Sequence, residues 1–183
     1  MIVAREDHSA TLLGSGDVLF AAGSTATAVT ATAELYRPKS GTFVATGSLI
    51  AARTQHTGTL LGSGEVMMVA GSNGTDNVAT AELYDPTAGT FSTTSSLATA
   101  RSAHTATLLH AGKVVVAGGS GAPPSFPPLA SAELSSCTPL TACPVGDDCG
   151  KIDDGCGGKV QCGPKCTAPE TCGGGGKHHV CGS

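Results

Sequence analysis

Arg53-Thr-Gln-His56-Thr-Gly-Thr-Leu60-Leu61-Gly-Ser-Gly-Glu-Val66-Met-Met-Val-Ala-Gly71 is a stretch that this chain writes three times, with related copies beginning at Arg5 and Arg101. The copies keep their register: Arg5, Arg53 and Arg101 are 48 residues apart, and so are His8, His56 and His104. A fixed period of this size marks stacked supersecondary units, none of which buries its apolar face alone.

Each period carries the same signals in the same order. A His- and Thr-rich segment ends in Leu-Leu, followed by a Gly turn, an apolar run, a Gly/Ser loop, Ala-Glu-Leu-Tyr, a Pro/Gly turn and Gly-Thr-Phe. In the second copy this predicts four strands, over about 56–61, 65–70, 80–84 and 90–94. Gly-Ser-Gly at 14–16 and 62–64 suits a hairpin turn that needs positive φ. Asp85-Pro86-Thr-Ala-Gly89 and Arg37-Pro38-Lys-Ser-Gly41 place Pro early and Gly late, as a tight turn requires. The runs Val18–Ala22, Val66–Ala70 and Val114–Ala117 do not alternate polar with apolar, which predicts strands covered on both faces. Four-stranded sheets stacked in sequence order describe the blades of a β-propeller, so the expected fold class is all-β.

The pattern Arg-x-x-His, then an apolar strand ending in Gly, then Ala-Glu-Leu-Tyr-Asp-Pro and Gly-Thr-aromatic, resembles a bacterial kelch repeat. The resemblance covers residues 1–136, in units of about 5–52, 53–100 and 101–136. It implies a partial propeller of about three four-stranded antiparallel blades, the third incomplete, with ligands taken by loops at one end. The chain departs from the family at named places. The paired glycine is complete only at Gly118-Gly119, the other copies reading Ala22-Gly23 and Ala70-Gly71. Phe43 and Phe91 replace a tryptophan, and Ala132-Glu-Leu-Ser135 lacks the tyrosine of Tyr36 and Tyr84. Met1-Ile-Val-Ala-Arg5 aligns with Leu49-Ile-Ala-Ala-Arg53, the end of a repeat, so the chain reads as a piece of a longer propeller. An open stack exposes apolar end faces, and self-association to complete the propeller is therefore expected.

Composition narrows the partners. A formal net charge of −4 provides no basic field for nucleic acid, and no apolar run approaches the roughly 20 residues of a spanning helix. Residues 1–5 lack the apolar core of a signal peptide. With only 3% aromatic residues and no Trp, small β-type side chains must build the core.

Three sets of residues invite chemistry. Arg5, Arg53 and Arg101 are candidates for binding an anionic ligand, because guanidinium recognises carboxylate and phosphate. Glu34, Glu82 and Glu133 recur with them, which also suits inter-strand or inter-blade ion pairs. His8, His56 and His104 are spaced as equivalent positions of a repeat, which favours buried, hydrogen-bonded imidazoles over a shared metal. No Gly-x-Ser-x-Gly elbow and no phosphate loop is present, so no catalytic constellation and no cofactor are expected. Galactose oxidase, a kelch-like copper enzyme, uses tyrosines, histidines and a Tyr–Cys cross-link; residues 1–136 contain no Cys.

All eight cysteines lie in residues 137–183, at Cys137, Cys143, Cys149, Cys156, Cys162, Cys166, Cys172 and Cys181. Few apolar side chains accompany them, so covalent links must replace a core; an even count suits four disulfides in 105 possible pairings. Zinc at Cys162-x3-Cys166, or calcium at Asp147-Asp148 and Asp153-Asp154, are the alternatives. The form Cys-Gly-x-Ile-x-Asp-Gly-Cys-Gly-Gly resembles Gly/Cys-rich modules of secreted bacterial proteins. Disulfides imply an oxidising compartment, hence an extracellular, cell-surface or periplasmic location. The expected function is a non-enzymatic module that recognises a protein or glycan through loops such as 71–78 and 118–129. The alternatives are a fragment of a kelch-containing enzyme that lacks its catalytic residues, and a purely structural surface component.

Overall fold

The computed structural model describes residues 1–109 and 112–135 and, beyond them, the backbone of four short strands. The cysteine side chains of 137–183, and with them the choice between disulfides and zinc, lie outside the described residues, as does Asp147-Asp148. The chain is all-β: among the described residues there are no helices, so none is long and apolar enough to cross a membrane.

Three antiparallel sheets follow one another along the sequence. Sheet I has the order β1 (Ser9–Leu12), β2 (Val18–Ala21), β3 (Ala33–Arg37), β4 (Thr42–Ala45). Sheet II repeats it with β5 (Thr57–Leu60), β6 (Val66–Val69), β7 (Ala81–Asp85) and β8 (Thr90–Thr94). Sheet III contains β9 (Thr105–Leu108), β10 (Val114–Ala117) and β11 (Ala132–Ser135). The strands of sheet II fall within one residue of the spans their periodicity predicts. Two ribbons pair β12 (Lys151–Asp153) with β13 (Lys159–Gln161), and β14 (Thr171–Cys172) with β15 (Cys181–Gly182).

Register repeats as faithfully as strand order. Val18 faces Tyr36, Val66 faces Tyr84, and Val114 faces Ser135, so Ser135 stands at the position of the two tyrosines. The hairpin turns form as the glycines demand: Gly16 and Gly64 adopt φ of 88° and 91°, and their N–H groups bond Leu13 and Leu61 carbonyls.

The core lies between the sheets. Leu19 and Ala21 of sheet I meet Val66, Met68 and Tyr84 of sheet II in one cluster. Met67, Val69 and Leu61 of sheet II meet Val114 and Val116 of sheet III in a second. Alternate residues of β6 therefore serve different clusters, and all four of its residues are buried. This is why that run shows no polar alternation. Small residues set the close approach: a Cβ on Gly58 would stand 3.0 Å from both the Ser9 and Thr11 hydroxyl oxygens.

Candidate functional site

The recurring charged residues belong to the frame of each sheet. Arg53 enters just before β5 and its guanidinium crosses to β7 of the same sheet. Nη1 donates to the Ala70 and Thr80 carbonyls at 3.0 and 2.8 Å. Nη2 donates to the Thr80 hydroxyl at 3.2 Å and to Glu82 Oε1 at 2.6 Å. Glu82 also accepts the N–H groups of Ile50 and Ala51, at 2.7 and 3.1 Å. One carboxylate thus ties the segment that leads into β5 to the third strand of the sheet. Arg5–Glu34 and Arg101–Glu133 repeat the clasp at 2.8 and 2.6 Å. All three arginine side chains are fully buried, and the pairs form within a repeat, not between repeats.

Burial alone pushes the Glu34 carboxyl up, but the Ile2 and Val3 N–H donors and the Arg5 guanidinium outweigh it and hold the group below its ordinary range. At Glu133 burial likewise pushes up, while Arg101 and the Ala98 and Thr99 segment pull further down.

The histidines connect neighbouring sheets. His56 Nε2 lies 2.9 Å from Ser9 Oγ, and His104 Nε2 lies 2.9 Å from Thr57 Oγ1. Burial pushes the His56 imidazole down to about 3, with the Arg53 charge and the neighbouring histidines adding to it. Burial and then Arg101 push His104 down to about 4. Both rings are therefore neutral at physiological pH. His8 lies on the outer face of sheet I, tilted against Phe20 at 5.6 Å, and burial lowers it too. Among the described residues no group of three or more His, Cys, Asp or Glu side chains is placed to hold a metal ion.

At the loop end, the β2–β3 connections and their counterparts are pinned by isolated bridges. Ser24, Ser72 and Ser120 each pair back to Glu6, Thr54 and Ser102, and forward to Val29, Asn77 and Pro128. A column of backbone bonds runs beneath them, from Gln55 N–H to the Asp7 carbonyl and from Ala103 N–H to the Gln55 carbonyl, each 3.0 Å. Asn77 Nδ2 donates to the Ser120 and Gly121 carbonyls at 2.8 and 2.6 Å, fixing the second loop to the third. Above these anchors the loop tips reach solvent: half-buried Thr25 with exposed Ala26 and Thr27 in the first, exposed Asn73, Gly74 and Thr75 in the second, and the exposed, proline-rich 122–128 in the third. At the opposite end a groove of about 400 Å³ runs between the hairpin turns of sheets I and II, with Asp17, Arg37, Glu65 and Asp85 in its walls.

Some positions that build this frame escaped the sequence pattern. The hydroxyl partners Ser9 and Thr57 look like ordinary strand residues. Asp7, Gln55 and Ala103 all adopt positive φ, between 51° and 53°, and no glycine marks that bend. Ala22 and Ala70 also adopt positive φ, of 58° and 54°, where the third repeat has Gly118 at 68°. The third-repeat Gly-Gly is the signal that reveals this conformation, once the copies are aligned.

No protein-family model matches this chain, and no curated protein matches it significantly in sequence.

Proposed function

We propose that residues 1–136 are consecutive blades of a kelch-type β-propeller in a secreted or surface protein, and that the module recognises a protein or glycan through its loop end. The observation that carries this is a contrast within each repeat. Arg5, Arg53 and Arg101, each clasped to its glutamate, are fully buried and their Nη donors bond the protein itself. A buried guanidinium has no open fork for a ligand, which supports a framing role. The loop tips at 25–28, 73–76 and 122–128 differ in sequence, and the third also in length, on that constant frame, and all but half-buried Thr25 are exposed. Variable loops on a rigid scaffold are where recognition residues concentrate.

The ligand chemistry the tips suit is polar and hydrogen-bonding, through the hydroxyls of Thr27 and Thr75 and the amide Nδ2 of Asn73, whose Oδ1 is held in its own turn, with Phe126 as an exposed aromatic contact, 41% accessible. Residues 137–183 serve in this proposal as a disulfide-stapled spacer, with its cysteines oxidised outside the cell.

The test is a glycan array and a panel of extracellular proteins probed with the intact oxidised chain, then with a chain whose three loop tips are replaced by Gly-Ser of equal length. Binding that is lost while thermal unfolding stays unchanged is the expected result. Binding that survives replacement of all three tips contradicts recognition at this end. Mass spectrometry after thiol alkylation tests the tail separately: free thiols on the secreted chain contradict the disulfide assignment.

A further inference from the structure

The two internal interfaces are built from the same contacts, and the outer faces of sheets I and III carry the two unmatched halves of that set. Between sheets I and II, His56 Nε2 meets Ser9 Oγ at 2.9 Å. There Gly23 N–H donates to the Arg53 carbonyl at 2.8 Å, and Gln55 N–H to the Asp7 carbonyl at 3.0 Å. Between sheets II and III, His104 Nε2 meets Thr57 Oγ1 at 2.9 Å. Gly71 N–H donates to the Arg101 carbonyl at 2.8 Å, and Ala103 N–H to the Gln55 carbonyl at 3.0 Å. Each sheet thus presents two different faces. One offers an imidazole, an arginine carbonyl and an N–H; the other offers a hydroxyl, a glycine N–H and a carbonyl.

On sheet I the outer face is of the first kind, with His8, the Arg5 carbonyl and the Asp7 N–H. On sheet III it is of the second kind, with the Thr105 hydroxyl, the Gly119 N–H and the Ala103 carbonyl. The apolar residues follow the same division. Phe20, Tyr36 and Phe43 form a ring cluster on sheet I, with centroids 5.4 and 4.9 Å apart, and are half-buried. Their counterparts Met68 and Tyr84 are fully covered by sheet I. Leu12 is 63% exposed, whereas Leu60 packs against the core between sheets I and II. On sheet III, Val115 and Ala117 are half-buried and Leu134 is 56% exposed, where the corresponding Leu19 and Ala21 are buried.

We propose that a second copy of this chain docks head to tail, the outer face of sheet I in one copy seated on the outer face of sheet III in the other. His8 meets the Thr105 hydroxyl of the other copy, and the Arg5 carbonyl accepts its Gly119 N–H. Leu12 and the ring cluster cover Val115, Ala117 and Leu134. The contact continues the geometry already present at two interfaces of the chain and does not depend on what the loops bind. It is heterologous, because neither face offers itself the partner that its own groups require.

Light scattering coupled to size exclusion of the oxidised full chain, over a range of concentrations, tests this together with Leu12→Asp and Thr105→Arg, both placed at exposed side chains. The expected wild-type mass exceeds the 17.9 kDa of one chain and rises with concentration. Each variant alone should be monomeric. Mixed, they should form a two-chain species and nothing larger, since each retains one intact face and the two faces differ. A wild type that stays monomeric throughout overturns the proposal, because the faces are then closed by something other than a second copy. A Thr105→Arg chain that associates while Leu12→Asp does not indicates pairing of sheet I with itself and equally overturns it. Hydrogen exchange of the unmodified chain provides a readout that needs no variant. The Gly119 amide should exchange more slowly as concentration rises, while the Gly16 amide in its hairpin turn should not change; equal behaviour of the two contradicts the contact.

Discussion

Sheets II and III derive from nearly the same repeat, yet among the described residues the charged clasp is sealed more completely in sheet II than in sheet III. In sheet II the Arg53–Glu82 clasp is almost fully buried, and Tyr84 reaches across to Thr46, whose hydroxyl lies 2.8 Å from the phenol oxygen. In sheet III the clasp keeps its 2.6 Å length, but the Glu133 side chain is 19% exposed. Ser135 occupies the tyrosine position, and its hydroxyl is too short to repeat the crossing. Thr94 Oγ1 and Ser135 Oγ are consequently both buried without a hydrogen-bond partner among the described residues. The motif by itself builds the clasp; the tyrosine and the covering sheet determine how well it is sealed.

Removal of the buried guanidinium should separate the two sheets most strongly. Arg53→Ala leaves Glu82 and two carbonyls without their charged donor, and should cost about 3–5 kcal/mol, the usual range for an orphaned buried charge. Arg101→Ala should cost clearly less, because water reaches Glu133. Denaturant unfolding of both variants checks the ranking, and equal losses would break it.

Next are two glycines, Gly71 and Gly118, that occupy neighbouring positions of the repeat in different copies. A Cβ on Gly71 would lie 2.5 Å from the Thr54 carbonyl oxygen and 2.9 Å from His56 Cβ, at φ +104°. Gly71→Ala should therefore cost about 3 kcal/mol, from overpacking together with backbone strain. A Cβ on Gly118 meets only the Leu129 carbonyl oxygen, at 3.7 Å. Since alanine already holds this conformation at Ala22 and Ala70, Gly118→Ala should cost about 1 kcal/mol or less. Thermal unfolding separates the two; a Gly118→Ala loss as large as that of Gly71→Ala would contradict the shared backbone geometry.

Acid should then act on the histidines before the carboxylates. His56 and His104 have folded values of about 3 and 4 against 6.5 when free, so the unfolded chain binds more protons in that window. Stability is full above pH 6.5 and falls as pH drops below it, by about 1.4 kcal/mol per pH unit for each ring. The Glu34 and Glu133 contributions, which are present above about 4.5, are lost only at still lower pH. His56→Gln should flatten the slope between pH 6 and 4.5, whereas His8→Gln on the outer face should flatten it less. An unchanged slope in His56→Gln would break the assignment.

The smallest effect is a gain. Ser135→Tyr restores the ring and brings a hydroxyl to Thr94, and should stabilise the chain by about 1 kcal/mol, the usual worth of one hydrogen bond. A lower unfolding midpoint would contradict the register that equates Ser135 with Tyr84.

Much of this is legible in the sequence itself. The spacing of Arg5, Arg53 and Arg101 sets the repeat, and Gly-Ser-Gly and Asp-Pro-Thr-Ala-Gly set the hairpins, because both are local and periodic. The co-recurrence of Arg and Glu foretells an ion pair but leaves open whether it joins two repeats. That choice depends on how far the segment before β5 folds back onto β7, which no local pattern encodes. The His–hydroxyl crossings were hidden for a similar reason: Ser9 and Thr57 acquire their role only when one sheet lies on the next. The candidate recognition site was legible least, since exposed loops such as 73–76 are free to vary and carry no period.

A double-mutant cycle at Arg53 and Glu82, using Arg53→Met and Glu82→Met measured singly and together by denaturant unfolding, tests most directly whether the recurring charges are frame and not site. Each single change should be strongly destabilising, and the pair together far less than their sum, with a coupling of about 2–3 kcal/mol. Additive losses, or single variants that unfold like the wild type, would contradict the account.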